Sequence, residues 1–422
     1  MTDSVPYFVQ IMARKMLIMM DKTIKEQIML TMLSMLRSYC KTAWRKIQRQ
    51  KGYSFINITG LAIGLAGFIF VLLFVCNELS YDDYHPDAEN IYRIWTYGNI
   101  NGAEFNLATA APPAGPGLTE AFPEVLAYAR VRNYGFPVLR YGDKAFSEER
   151  WFHADSTIFN VFGIEFLAGN AETAFSKPNS VVLTESMAKK YFGDEDPLGK
   201  IINSDKRLDY EVTAVIKDCP ENTHFHFDFL ASNPDYRRHF ENGLWLNVNV
   251  HTYIKLMPGT DVKALAAKAN QWVQARAGLQ MQEWLQLSPE QLAESGNAYQ
   301  LRFMPLTDIH LHSHLEYEIE PNGQILYVYV FSIVAFFILL IAGINFMNLS
   351  TARSAKRAKE IGIRKTLGAG RKSLIGQFLV ESILLAILAM AIAVVLVALL
   401  LPTFNQIAQK NLQFSWGDLL HW

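Results

Sequence analysis

The sequence predicts a membrane protein: three transmembrane helices plus a large α+β domain inserted between the first and second. Three observations predict it. Charge vanishes over three long stretches, Gly52–Asn77, Pro321–Ala352 and Ser382–Gln409. Each exceeds the roughly 20 apolar residues that cross a bilayer core. Lys and Arg gather on one side of these stretches and acids on the other. The region between the first two alternates strand and helix patterns. In 422 residues, half of them apolar, the net charge is −1, so no overall field favours nucleic acid. The three cysteines, Cys40, Cys76 and Cys219, fall in three different compartments of this topology and encode no disulfide framework.

In chain order, residues 1–34 are rich in Met, carry several plausible start positions and lack a coherent pattern. They read as a leader or an over-extended start; a short amphipathic surface helix through Ile24, Ile28 and Leu33 is the competing reading. Residues 35–54 form a basic amphipathic helix: Arg37, Lys41, Arg45, Lys46, Arg49 and Lys51 come without an acid, and Trp44 suits an interface. The first span covers 55–78. Its Gly60-x-x-x-Gly64 offers a small-residue face for another helix, set against simple tolerance of glycine in a span. A signal peptide is disfavoured by the length of the run, and Val75 before Cys76 disfavours a lipoprotein signal.

Glu78, Asp82, Asp83, Asp87 and Glu89 follow this span, and Asp308, Glu316, Glu318 and Glu320 precede the second. With the opposite flanks basic, this asymmetry puts 79–324 outside the cytoplasm. Within that region Tyr210, Val212, Ala214 and Ile216 alternate with polar residues as in a half-buried strand. Ser180–Leu183 and His251–Leu256 read as further strands. Thr184 can cap a helix running through Tyr191, which Gly193 to Gly199 closes with turn chemistry. Asp261 opens a helix with Val262, Leu265, Ala269, Trp272 and Val273 on one side.

The second span covers 325–350, with Tyr327 and Tyr329 at its outer edge, and the third covers 374–401, stopped by Pro402. Glu381 lies about two turns inside the third. A carboxylate at that depth is a functional candidate, but snorkelling inward or pairing with Arg371 or Lys372 is the favoured reading. Residues 402–422 would lie outside, and the chain would stop before a fourth span.

The loop 351–373 is the most distinctive stretch. Arg353 to Lys372 holds eight Lys or Arg and one acid, Glu360. Between two spans, such density marks a cytoplasmic loop. Glu360 to Ala369 reads as a short helix broken by glycines at both ends, with Ile363 and Leu367 one turn apart and Arg364 and Lys365 beside them. Such a ridge can dock in a partner's groove, with the charges steering it. The competing reading lays it on lipid phosphates.

This loop resembles the coupling loop between the second and third spans of MacB/FtsX-type ABC transporter permeases. The likeness extends to Lys51–Gly64 at the first span, to Ser180–Gly193, Asp196–Lys200 and Tyr210–Ile216 in a MacB-like periplasmic core domain, and to Ile344–Arg353 at the exit of the second span. It resembles the first half of a Bacteroidetes-like two-repeat permease. The resemblance implies a multi-pass protein of a Gram-negative inner membrane, serving efflux or mechanotransmission. It implies a cytoplasmic ABC ATPase subunit as partner, a second permease half or a homodimer, and a periplasmic or outer-membrane partner, with no nucleic acid. Glu360, Gly362, Arg364, Lys365, Leu367, Gly368 and Ala369 would meet the ATPase, while Gly60 and Gly64 pack the membrane helices.

No catalytic residue, metal or cofactor is expected. The nearest likeness to a phosphate loop, Gly193 to Gly199-Lys200, has five intervening residues where four are needed, and Ile201 stands where Ser or Thr should hold magnesium. ATPase activity is therefore expected on a separate subunit. His310, His312 and His314 alternate, with His224 and His226 elsewhere. On a strand they could share a face for zinc, but without a third ligand at a recognisable spacing they read as polar positions on a domain surface. A membrane-anchored periplasmic sensor relaying to a cytoplasmic partner is the alternative class. A neighbouring reading frame encoding a Walker-type ATPase would tell the two apart.

Overall fold

The computed structural model describes residues 37–45, 47–133, 135–205, 208–232, 243–352, 361–363, 365–368, 370–408 and 410–412. Residues 1–34, assigned above to a leader, lie outside them. The chain divides into two compact units. One holds the bulk of the membrane helices, the other Val75–Tyr329.

In the first unit, residues 37–45 and 47–49 are helical, and three long helices follow. Helix α1 covers Lys51–Leu79. All three are long and apolar enough to span a bilayer. At 1.5 Å per residue, the 29 residues of α1 reach about 43 Å, more than the hydrocarbon thickness. Length and the absence of charge make these helices. With no water to satisfy backbone groups in lipid, only intrahelical bonds suffice.

The second unit begins with the last turn of α1. Its elements in order are β1 Ile91–Ile100, β2 Ala103–Leu107, α2 Ala114–Ala121, β3 Val125–Asn133, β4 Val138–Tyr141, β5 Lys144–Ser147, β6 Trp151–Ala154, α3 Ile158–Phe162, β7 Phe166–Ala168 and α4 Ala171–Ala174. Then come β8 Ser180–Thr184, α5 Glu185–Phe192, β9 Ile201–Ser204, β10 Asp209–Ile216, β11 Phe229–Ala231, β12 His251–Leu256, α6 Val262–Leu285, α7 Pro289–Glu294, β13 Ala298–Pro305 and α8 Ile309–His312. Helix α9 covers Ile325–Ala352 and α10 Arg371–Ala408.

The strands join into one sheet in the order β13-β1-β12-β3-β6-β11-β8-β10-β9-β4-β5, with β2 beside β1 and β7 beside β10. The parallel pairing of Phe229 with Trp151 links its two halves. In one half, β1, β12 and β13 pack under α2 and α6 through Ile94, Ile254, Leu301, Leu265, Ala269 and Val273. In the other, β8 and β10 run parallel, connected through α5, over Val181, Leu183, Tyr191, Val212 and Phe229. The alternation read in β10 is real: Tyr210, Val212, Ala214 and Ile216 are buried. Asp261 caps α6, its side chain accepting from the amides of Lys263 and Ala264.

Several local expectations are corrected. Pro402 does not stop the third span; α10 runs through it to Ala408. Proline removes one intrahelical bond and disfavours helix at the residue before it, yet packing along a long apolar helix outweighs that penalty. Thr184 stands at the helix start with extended backbone, but its hydroxyl makes no capping bond. His310 and His312 lie in the helical turn α8, where a two-residue step turns side chains about 200° apart, not onto a shared strand face. His310 is also buried, not on the domain surface.

Candidate functional site

The cationic loop 351–373 is described in part. Glu360, Arg364 and Ala369 lie outside the described residues. Gly362 sits within helical residues 361–363 and so does not break the helix; Gly368 does end it, at φ +88°. The Leu367 amide bonds the Ile363 carbonyl at 3.2 Å, which puts these two side chains one turn apart. Leu367 is 82% exposed and Ile363 54%. Lys365 is exposed beside them. Two large apolar side chains held open to solvent on a fixed turn are what a docking ridge requires.

Behind this loop the membrane helices meet closely. A Cβ on Gly64 would lie 2.5 Å from the Ala342 Cβ of α9, and one on Gly60 would lie 3.1 Å from the Asn345 amide nitrogen. Small residues let the two backbones approach. Along α10, Glu381, Leu385, Ala389, Ala393 and Val397 form a buried ridge at four-residue spacing, with Ala66 of α1 against Ala393 and Val397. Glu381 is 5% exposed. It is enclosed within the ridge and not turned out to water, contrary to the snorkelling expectation; i, i+4 geometry puts it on the face that carries the alanines.

The third region is the base of the second unit, where the chain enters through a leading connector (residues 78–90) and leaves through a trailing one (residues 306–324). The acids that set the topology are engaged here. Glu78 meets His310 Nε2 at 2.9 Å, and Tyr81 stacks on the same imidazole with ring centres 3.4 Å apart. Gly323 runs directly over this pair: a Cβ there would lie 2.7 Å from His310 Nε2 and 2.8 Å from Glu78 Oε2. Asp82, fully buried, accepts from the Thr223 hydroxyl, the His224 amide and His224 Nδ1, while His224 Nε2 reaches the Tyr253 hydroxyl at 2.7 Å. Burial alone would raise the Asp82 carboxyl, but the His224 ring, its amide and the Thr223 hydroxyl outweigh it and hold it below its ordinary value.

Two further bridges close the base. Arg93 of β1, 1% exposed, donates to both oxygens of Glu318, at 2.5 and 2.9 Å, and to the Ser313 hydroxyl at 2.6 Å. Ser313 in turn donates to Glu318. Glu320 accepts from the His226 amide at 2.7 Å and pairs with His226 Nδ1 at 2.9 Å. These contacts span up to 232 residues of sequence. The sequence showed the acids and the alternating histidines but could not show which faced which. The span-flanking position of the acids was the only signal.

Three apolar helices of spanning length, with a folded domain between the first two and an exposed turn carrying Lys365 between the last two, give the architecture of a polytopic membrane protein. A family profile described as MacB-like periplasmic core domain matches residues 54–272, just over half of the chain, and one described as FtsX-like permease C-terminal matches residues 332–420. The chain belongs to the MacB/FtsX-type ABC transporter permeases.

Among its relatives, the macrolide export ATP-binding/permease protein MacB of Aggregatibacter actinomycetemcomitans is 26% identical over 255 residues, 60% of this chain and 35% of that protein. The protein of the same name from Burkholderia lata is 34% identical over 103 residues, 24% of this chain and 15% of that protein. The matched region thus spans about a third or less of these relatives. Among solved structures, a permease domain from Porphyromonas gingivalis aligns with 58% of this chain and 98% of its own, at 20% identity and a TM-score of 0.45. The periplasmic region of MacB from Actinobacillus actinomycetemcomitans aligns with 45% and 86%, at 17% and 0.34. The family places a periplasmic domain on a membrane protein and implies an ABC ATPase as partner.

Proposed function

We propose that the chain couples ATP hydrolysis by a separate cytoplasmic ATPase to movement of its periplasmic domain, in the inner membrane of a Gram-negative cell. The single observation that carries this reading is the open Ile363–Leu367 ridge beside Lys365, on a turn between two spans. Glu360, Gly362, Arg364, Lys365, Leu367, Gly368 and Ala369 form the ATPase contact, with the apolar ridge supplying affinity and the cations register. Closure of the ATPase displaces this turn, and α9 and α10 tilt with it. The close α1–α9 approach at Gly60 and Gly64 carries the tilt to the first span, and a second permease half or a second copy completes the assembly. The domain motion serves export of a periplasmic cargo or force on a periplasmic or outer-membrane partner. Macrolide export, named for the relatives, is one form such export takes.

The test is a pull-down of ATPase from membrane extracts with wild type and the Arg364→Glu, Lys365→Glu double variant. The wild type should retain the ATPase and the variant should lose it. Retention by the variant would sink the assignment of this loop.

A further inference from the structure

Half of the chain's ten histidines sit at the domain base: His85, His224, His226, His251 and His310. Each ties together segments distant in sequence. Three of them face a carboxylate: His310 with Glu78, His224 with Asp82, His226 with Glu320. The other two bond only backbone carbonyls. His85 Nδ1 meets the Phe162 carbonyl at 2.9 Å, and His251 Nε2 meets the Tyr317 carbonyl at 2.8 Å. Tyr317 itself holds the left-handed φ of +59°, a strained backbone for an aromatic residue, at the rim of a cavity of about 790 Å³ that His251 lines.

We propose that this base is an acid-responsive clamp on the two connectors, which loosens at His85 and His251. A carbonyl is satisfied by a neutral imidazole, and a ring drawn away from water resists a second proton unless a nearby carboxylate outweighs that cost. The surroundings of each ring fit that role. His85 is faced by Tyr84 and Asp82 of its own connector and by His224 from the loop before β11. His251 is faced by Arg93 of β1, by Glu318 of the trailing connector and by His224. Burial is the largest influence on both and lowers each to about 4, from 6.5.

The sign follows from linkage. Between about pH 6.5 and pH 4 the freed rings bind protons that the held rings do not, so acid favours release. At pH 5, titration near 4 when held and near 6.5 when free favours release by about thirtyfold for each ring. The carboxylates Asp82 and Glu320 are held below their ordinary values and keep their charge to lower pH. The proposal rests on the transmission reading for its purpose, since a clamp of this kind makes the first two spans drive the domain as one body. It does not rest on that reading for its test.

The test is amide hydrogen exchange of the full chain in lipid nanodiscs at about pH 7.5 and pH 5, corrected for intrinsic rates, without ATPase. Exchange in residues 80–90 and 309–322 should rise by at least about tenfold at pH 5, while β8 and β10 stay unchanged. His85→Asn and His251→Gln keep a donor near the same position but do not titrate. Together they should preserve protection at pH 7.5 and abolish most of the acid response. An unaltered acid response in that double variant overturns the proposal, as does a uniform rise across the sheet in wild type. Should the double variant not fold, the wild-type pattern decides alone. A failure here leaves the ATPase contact of the cationic turn intact, and failure of the pull-down leaves the clamp intact.

Discussion

The domain base and the cationic loop between the last two spans are both rich in charge, yet they use it in opposite ways. At the base, Glu78, Asp82, Glu318 and Glu320 are each matched to a partner across the fold, and Arg93 is sealed from solvent. At the loop, Ile363, Lys365 and Leu367 stand exposed on a turn that Gly368 closes. Buried pairs contribute little net stability but are costly to break singly, so they fix geometry. Exposed charges and apolar side chains cost little to change in the isolated chain, and their worth is realised on a partner. The same kind of substitution should therefore register in different assays at the two places.

The largest effect is expected from Glu318→Ala, which leaves Arg93 buried with no carboxylate. It should destabilise the domain by about 3–5 kcal/mol, read as a lowered unfolding midpoint in denaturant. Leu367→Ala, its counterpart in the loop, should stay within about 0.5 kcal/mol. Equal losses would erase the contrast.

Glycine gives a second pair. Gly323→Ala puts a methyl against His310 and Glu78, neither of which can withdraw without breaking their bond, and should cost about 1–3 kcal/mol. Gly362→Ala meets no atom within 4 Å and lies in helical backbone, so it should be neutral or stabilise by up to about 1 kcal/mol. Thermal unfolding of the two variants beside wild type checks both signs.

A smaller effect sharpens the base further. Asp82 and Glu320 are held below their ordinary values, so their contribution is fully present above the free carboxylate range. It is lost as pH falls through the lowered values. Asp82→Asn should remove part of that late acid loss while leaving the His251 stage in place. A pH series of unfolding midpoints that shows no change below pH 4 in this variant would count against the Asp82–His224 pairing.

Much of the architecture was legible because its causes are local. Absence of charge marks α1, α9 and α10; period-two burial marks β10; Asp261 announces α6 through its own side chain. The base was not legible. Glu78 and His310 lie 232 residues apart, and nothing in the surrounding sequence states that they meet. Their acids and histidines looked like solvated flanks and surface positions because each was read alone. The expectation that Glu381 turns out to water failed for a related reason. Its depth in the span is a local property, but its enclosure on the Leu385–Ala389–Ala393 face depends on what packs there. At the loop, Leu367 and Ile363 were legible as a ridge because one turn of helix sets their relation.

Pro402 divides α10 unequally. The ring removes the donor that the Ala398 carbonyl would otherwise find, so the backbone ladder lacks one bond at this turn. Just past that break, Phe404 stacks on Phe70 of α1 with ring centres 4.9 Å apart. The third span thus grips the first on both sides of the proline, through Phe404 on Phe70 beyond it and through Ala393 and Val397 on Ala66 before it, so a tilt of either helix is shared by the other.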